Sequence, residues 1–356
     1  MNFKKWITIV LIILFFFFIF NLDNITSIKK IKISKVFAPK IIIPEDIHSY
    51  NLSFDNLTYY SGISNSTEKD ILLAMENDNL NIAMITDCTK YSSRFENVYG
   101  DRIILSDCSI QNKIIQFDGL EILPYKTSGE QRADCEEIMN LGKSIELSFS
   151  NILKAIKFSL WYPFSKEKAY YNLYKMMDIE EQAEKLDPQL TTCIIGGVGS
   201  YSKIKYNNTS LPDLTYMLKL VKNKIYTTEI LTTDLKKDRD QIIKALKNGN
   251  NIIIFGNEDI DFDVYVETPE RKYYVGDLIE MSSNPVIKGK IKGTKVLTAV
   301  YKNGKLIKYL DQISFEIKPK TTGYYTFVLY KYSVKLPFGI YLGVKPVSVT
   351  NSIYLQ

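Results

Sequence analysis

TEKDILLAMENDNLNIAMITDC, residues 67–88, reads as one helix followed by one strand, and that order decides the class of fold. Thr67 can cap the helix, and Ile71, Leu72, Ala74 and Met75 recur at the spacing of one apolar helical face. Ile82-Ala83-Met84-Ile85 then supplies a strand that ends on Thr86-Asp87. The alternation repeats outward. Upstream, Ile41-Ile42-Ile43 is strand-like; downstream, residues 131–141, 167–186 and 236–247 read as helices. Between them Cys193-Ile194-Ile195 and Ile252-Ile253-Ile254-Phe255 read as strands. Strands alternating with helices predict parallel βα units, which place functional groups at strand C-termini. Asp87, Glu121 and the turn from Gly196 to Tyr201 fall at such ends.

Past residue 260 the texture changes to short β-type runs, among them Val264-Tyr265-Val266, Val296-Leu297-Thr298-Ala299-Val300 and Tyr324-Tyr325-Thr326-Phe327-Val328. Asn303-Gly304 between two of the runs is a hairpin signal, and no helical period interrupts them. A small all-β sandwich is the expectation.

The N-terminus is apolar without a break from Trp6 to Phe20, behind Lys4 and Lys5. No small-x-small cleavage triplet follows it directly, so an uncleaved transmembrane signal-anchor is predicted over residues 1–22. The flank from Asn21 to Ile28 carries no positive charge, which favours a single-pass protein with its body on the extracytoplasmic side. The expected organisation is then a lysine-rich linker over 23–40, an α/β domain over 41–258 and the sandwich over 259–356.

A chain of 356 residues, 46% hydrophobic and 24% charged, can bury sizeable cores and is not compositionally disordered. The net charge is +5, but the lysines are scattered among acidic residues, which excludes a nucleic-acid groove. Cys88, Cys108, Cys135 and Cys193 occur singly, with no C-x-x-C pair. An even count leaves one or two disulfides open; four buried, inert thiols are the simpler expectation. Gly196-Gly197-Val198-Gly199 is not followed by Lys-Ser/Thr, so it is no phosphate loop.

Asp46-Ile47-His48-Ser49-Tyr50, followed by Asp55, resembles the D-x-H-x-H opening of the PHP (polymerase and histidinol phosphatase) hydrolases, with Tyr50 replacing the second histidine. Ile85-Thr86-Asp87-Cys88 resembles that family's I-T-D-H, and Gly119-Leu120-Glu121-Ile122 its G-x-E-x segment. Leu147-Ser148-Phe149 stands in place of a His-Pro pair, and Gly199-Ser200-Tyr201 in place of the closing D-x-H. Gly276-Asp277, Gly323-Tyr324-Tyr325 and Asn351-Ser352-Ile353-Tyr354 resemble the tail of the carbaryl-hydrolase-like branch. The resemblance covers residues 41–356. It implies a distorted seven-stranded (βα) barrel followed by the sandwich.

Active members carry several His, Asp and Glu ligands on two or three metals that generate hydroxide. By register this chain keeps His48, its single histidine, with Asp55, Asp87 and Glu121, and has Tyr50, Cys88, Gly199 and Tyr201 at degenerate positions. A multinuclear centre is not expected, and no cofactor is expected to be bound. The resemblance therefore implies a phosphoesterase-like scaffold acting as a non-hydrolytic module for a protein or small-molecule ligand. The alternative is a divergent hydrolase holding one divalent metal (zinc, manganese or iron) on His48, Asp87 and Glu121.

Overall fold

The structure, a computed structural model, describes residues 6–12, 14, 29–34, 36, 38, 39, 41, 47–62, 64–125, 133–142, 152–166, 168, 169, 193–200, 204–206, 209–211, 213–256 and 260–356. Its principal strands are β1 (His48–Asn56), β2 (Ile82–Ile85), β3 (Arg102–Leu105), β4 (Leu120–Leu123), β5 (Cys135–Asn140), β6 (Cys193–Gly197), β7 (Val221–Thr227) and β8 (Asn251–Phe255). The C-terminal region adds β9 (Asp261–Glu267), β10 (Val286–Lys292), β11 (Val296–Lys302), β12 (Gly323–Lys331) and β13 (Lys345–Thr350). Helices α1 (Glu68–Asn77), α2 (Ile152–Trp161), α3 (Leu214–Leu220) and α4 (Leu235–Lys247) accompany them.

Local chemistry explains the first unit. Thr67 accepts from the Asp70 backbone N–H while the Asp70 side chain reaches back to the Thr67 N–H, a capping box of the kind worth about 1 kcal/mol. Ile71, Ala74 and Met75 are buried on one face of α1 and pack with Leu214, Met217 and Leu218 of α3. The wholly buried β2 follows, parallel to β1 and β3.

Parallel pairings run β3-β2-β1-β6-β5-β4. The edge of β1 that meets β6 only at Phe54 is occupied along its first half by antiparallel β7. From there antiparallel pairings continue through β8, β13, β12 and β11, so one mixed sheet runs from the first half of the chain into its C-terminal region. A four-stranded sheet, Lys272–Tyr274, β9, β10 and Ser314–Ile317, packs Phe262, Val264, Ile287 and Phe315 onto Val300, Phe327 and Leu329. At the tip of the ribbon that opens with β11, Asn303 and Gly304 both take positive φ, as a two-residue hairpin loop of this twist requires.

Several expectations are corrected. The seven-stranded (βα) barrel gives way to this large mixed sheet. After β3 the chain turns back twice in tight hairpins, at Asn112-Lys113 and Asp118-Gly119, all four residues having positive φ. Two-residue turns join antiparallel strands; a parallel crossover needs a dozen residues or more, so no βα unit fits there. Residues 131–141, read as a helix, contain strand β5. Its glutamates and methionine favour a helix only weakly, and pairing with parallel strands on both sides overrides that preference. The helix read at 167–186 and the strand at 41–43 lie largely outside the described residues.

The transmembrane anchor is corrected as well. Residues 6–12 and 14 are helical, against about 20 apolar residues needed for a span. Among the described residues no helix is long and apolar enough to cross a membrane, so neither single-pass anchoring nor an exported body is supported. Part of the lysine-rich linker is held against the C-terminal region: Lys29–Lys30 pairs with Ile340–Tyr341, and Ile31 is buried. The inert-thiol expectation fails too, because the four cysteines form two disulfides, Cys88–Cys108 and Cys135–Cys193.

Candidate functional site

Buried polar side chains gather at the C-terminal ends of parallel strands β1, β2, β5 and β6, the position where sheets of this kind carry their sites. Asp55, at the end of β1, accepts from the Thr86 hydroxyl through Oδ1 and from the Asn140 amide through Oδ2, the latter at 2.5 Å. The same Asn140 Nδ2 donates to Glu137 Oε1 at 2.9 Å, and the Tyr125 N–H donates to Glu137 Oε2 at 2.8 Å. Asp87, just past β2, accepts from the Thr58 N–H at 2.9 and 3.2 Å and from the Thr58 hydroxyl. Ser200 closes the group, its hydroxyl 2.6 Å from the Leu57 N–H, which donates to it.

The backbone is shaped to make this meeting. The β1–β2 register shifts between Ser53 and Asn56, and Asp55 sits at φ 60°. The β5–β6 register shifts between Ile195 and Gly196, beside Glu137. Such bulges re-aim side chains next to functional sites. Gly197 and Gly199 are small for the same reason. A Cβ on Gly197 would overlap the Glu137 carboxylate, and one on Gly199, at φ 52°, would overlap the Asn140 amide.

Both oxygens of Asp55, Asp87 and Glu137 thus accept from protein donors. Burial pushes the Asp87 carboxyl above the ordinary carboxylate range; the Thr58 hydroxyl and N–H pull it down, and nearby Asp55 pushes it up again. Beside Thr58, whose hydroxyl accepts from the Tyr60 N–H, lies an aromatic cluster. Tyr60 stacks on Tyr91 at 5.5 Å and leans on Phe95 at 5.6 Å, while Tyr59 and Tyr91 are about half exposed.

Of the residues selected from sequence, Asp55 and Asp87 join this group. His48 does not: it opens β1 opposite Thr227, seven residues and about 20 Å of extended strand from Asp55. Tyr50 also lies in that first half, its hydroxyl accepting from the Leu231 N–H. Glu121 is the second residue of β4; its carboxylate takes the Gln116 amide and its N–H donates to Asp134. Cys88 is tied to Cys108 and has no thiol to offer. Gly199 borders the group through Asn140, and Tyr201, Ser148 and Phe149 lie outside the described residues. Thr58, Glu137 and Asn140 carried no motif, and Thr86 and Ser200 lay inside motifs without being singled out themselves. The one available signal was the glycine run at 196–199, which marks where neighbouring side chains cross the strand.

A metal centre of the expected kind would need several ligand side chains grouped around one point. Among the described residues no three His, Cys, Asp or Glu side chains are grouped to hold a metal ion. Among the described residues the groups that donate to Asp55, Asp87 and Glu137 include neutral hydroxyl, amide and backbone N–H groups, and this set does not match the multinuclear centre that the resemblance implies.

No protein-family model matches the chain, and no curated protein matches it. Among solved structures it is similar to a two-domain protein from Bacteroides vulgatus described as containing a predicted PHP-like metal-dependent phosphoesterase. The identity is 10% and the TM-score 0.36, over 90% of this chain and 99% of that one. A likeness of that size assigns neither family nor activity.

Proposed function

We propose that the chain is a degenerate PHP-type protein that works as a non-hydrolytic ligand-binding or interaction module. The observation that supports this reading is that the strand-end carboxylates already accept hydrogen bonds through both oxygens, while no three potential ligands are grouped among the described residues. Metal-assisted hydrolysis needs carboxylates open to cations and a water held between them. Here a metal on Asp87 or Glu137 would compete with the Thr58 and Tyr125 N–H groups for the same oxygens, and any buried donor it displaced would cost about 1–3 kcal/mol. The network supports a fixed scaffold. Next to Thr58, Tyr59, Tyr60, Tyr91 and Phe95 offer a contact face of the aromatic kind that anchors ligands and partners.

The rival reading, a phosphoesterase with one metal on His48, Asp87 and Glu121, makes a different prediction for metal content. Purified protein incubated with zinc, manganese or iron and then desalted would be analysed for bound metal. Substoichiometric metal, unchanged by His48→Ala, is expected. One tightly held ion per chain, lost with His48→Ala or Asp87→Asn, would overturn the non-hydrolytic reading.

A further inference from the structure

At the opposite end of β1 from the carboxylates lies a recess of about 350 Å³. Its walls come from the turn after α1, the end of α3, β7 and the near edges of β9 and β10, and they bring Lys219, Lys222, Lys224 and Lys292 together with Asp78 and Asp261. Four ammonium groups face two carboxylates.

The ion pairs are unequal. Lys224 is doubly paired, bonding Asp261 at 2.7 Å and also Asp263. Lys222 is half-buried, yet its ammonium donates to a single acceptor, the Asp78 backbone carbonyl at 3.2 Å. A lysine has three donors, so two on Lys222 are left to water or a ligand in the recess. Asp78 has its side chain 1% exposed and makes no hydrogen bond through either carboxylate oxygen, and Lys219 stands off at 3.5 Å. Burial pulls the Lys222 ammonium below the ordinary lysine value, Asp78 pushes it back up, and Lys219 pulls it down. Lys219 and Lys222 thus converge on a concave, water-sized-to-ligand-sized space with one carboxylate between them that neither holds by a hydrogen bond.

We propose that this recess binds a small phosphate-type anion, inorganic phosphate or a compact phosphomonoester, on Lys219 and Lys222, with Lys292 at its mouth. A tetrahedral oxyanion supplies the acceptors that the two ammonium groups lack, and its size suits the cavity. The buried Asp78 carboxylate is the counter-charge that keeps the lysines in place while the recess is empty. It competes with the ligand for them. This site is separate from the strand-end carboxylates, and its test reads binding, so it stands or falls apart from the non-hydrolytic reading.

Inorganic phosphate titrated calorimetrically into the full chain at constant ionic strength, against chloride as control and glycerol 3-phosphate as the ester arm, tests it. Saturable one-to-one phosphate binding is expected. Lys222→Met should weaken it about tenfold, the loss of one charge-assisted hydrogen bond. Asp78→Asn should strengthen it, because the competitor is gone, and the exposed Lys292→Met should weaken it less than Lys222→Met. Tighter binding of glycerol 3-phosphate would assign the ester as the ligand, and equal or weaker binding the free ion. Absence of saturable binding, or affinity unchanged in both Lys222→Met and Lys292→Met, would overturn the proposal.

Discussion

The two ends of β1 carry polar clusters of opposite character. At the C-terminal end, Asp55, Asp87 and Glu137 are buried negative groups whose oxygens all accept from the protein itself. At the N-terminal end, Lys219 and Lys222 are positive groups beside an open recess, and Lys222 has a single acceptor. A polar network that satisfies itself rigidifies the fold; one that leaves donors over a cavity is poised for a ligand. Substitutions at the first end should therefore cost stability and leave anion binding alone, and those at the second should do the reverse.

The largest effect expected tests the frame around the first end. Cys135 and Cys193 face each other across β5 and β6 and close 58 residues of sequence. Replacing both by alanine should cost about 4 kcal/mol on the chain-entropy account, read by denaturant unfolding. Next, Asn140→Ala removes the one amide that Asp55 and Glu137 share and leaves two buried carboxylates facing each other. About 3 kcal/mol is expected, with phosphate affinity unchanged. Gly197→Ala drives a methyl group into Glu137 and should cost about 2 kcal/mol in the same assay.

A smaller effect is pH-dependent. Burial raises the Asp87 carboxyl, so the folded state holds its proton to higher pH than the unfolded chain does. Stability from this group is therefore greatest in acid and falls as pH rises from the ordinary carboxylate value through the raised one. Asp87→Asn should flatten that part of the unfolding curve against pH. A slope that persists would remove Asp87 as its source. Smallest of all, Lys222→Met should change stability by under about 0.5 kcal/mol, since its ammonium holds one neutral acceptor.

The parts of the fold legible in the sequence were those fixed by local chemistry. Thr67 and Asp70 announce α1 because a capping box lies within four residues, and Asn303-Gly304 announces its hairpin because both positions need positive φ. Asp118-Gly119 carried the same hairpin signal, and giving it its due would have argued against βα units between β3 and β5. Strand β5 was not legible: its buried Glu137 makes sense only with Asn140 and Tyr125 beside it, which no window of sequence shows. The candidate site was half legible. Asp87 sits at a strand end, as the βα alternation suggested, and Asp55, chosen by the resemblance, sits at another, but a single histidine pointed toward His48. Register along one extended strand separates it from them by most of the strand's length.

On the proposed reading the strand-end carboxylates hold the fold and do not perform hydrolysis. Its most direct test is turnover of bis-p-nitrophenyl phosphate and p-nitrophenyl phosphate by the purified protein with manganese, zinc or magnesium, beside Asp55→Asn and Asp87→Asn. No metal-dependent turnover above that of either variant is expected. Turnover that requires metal and disappears in both variants, while each remains folded, would contradict it.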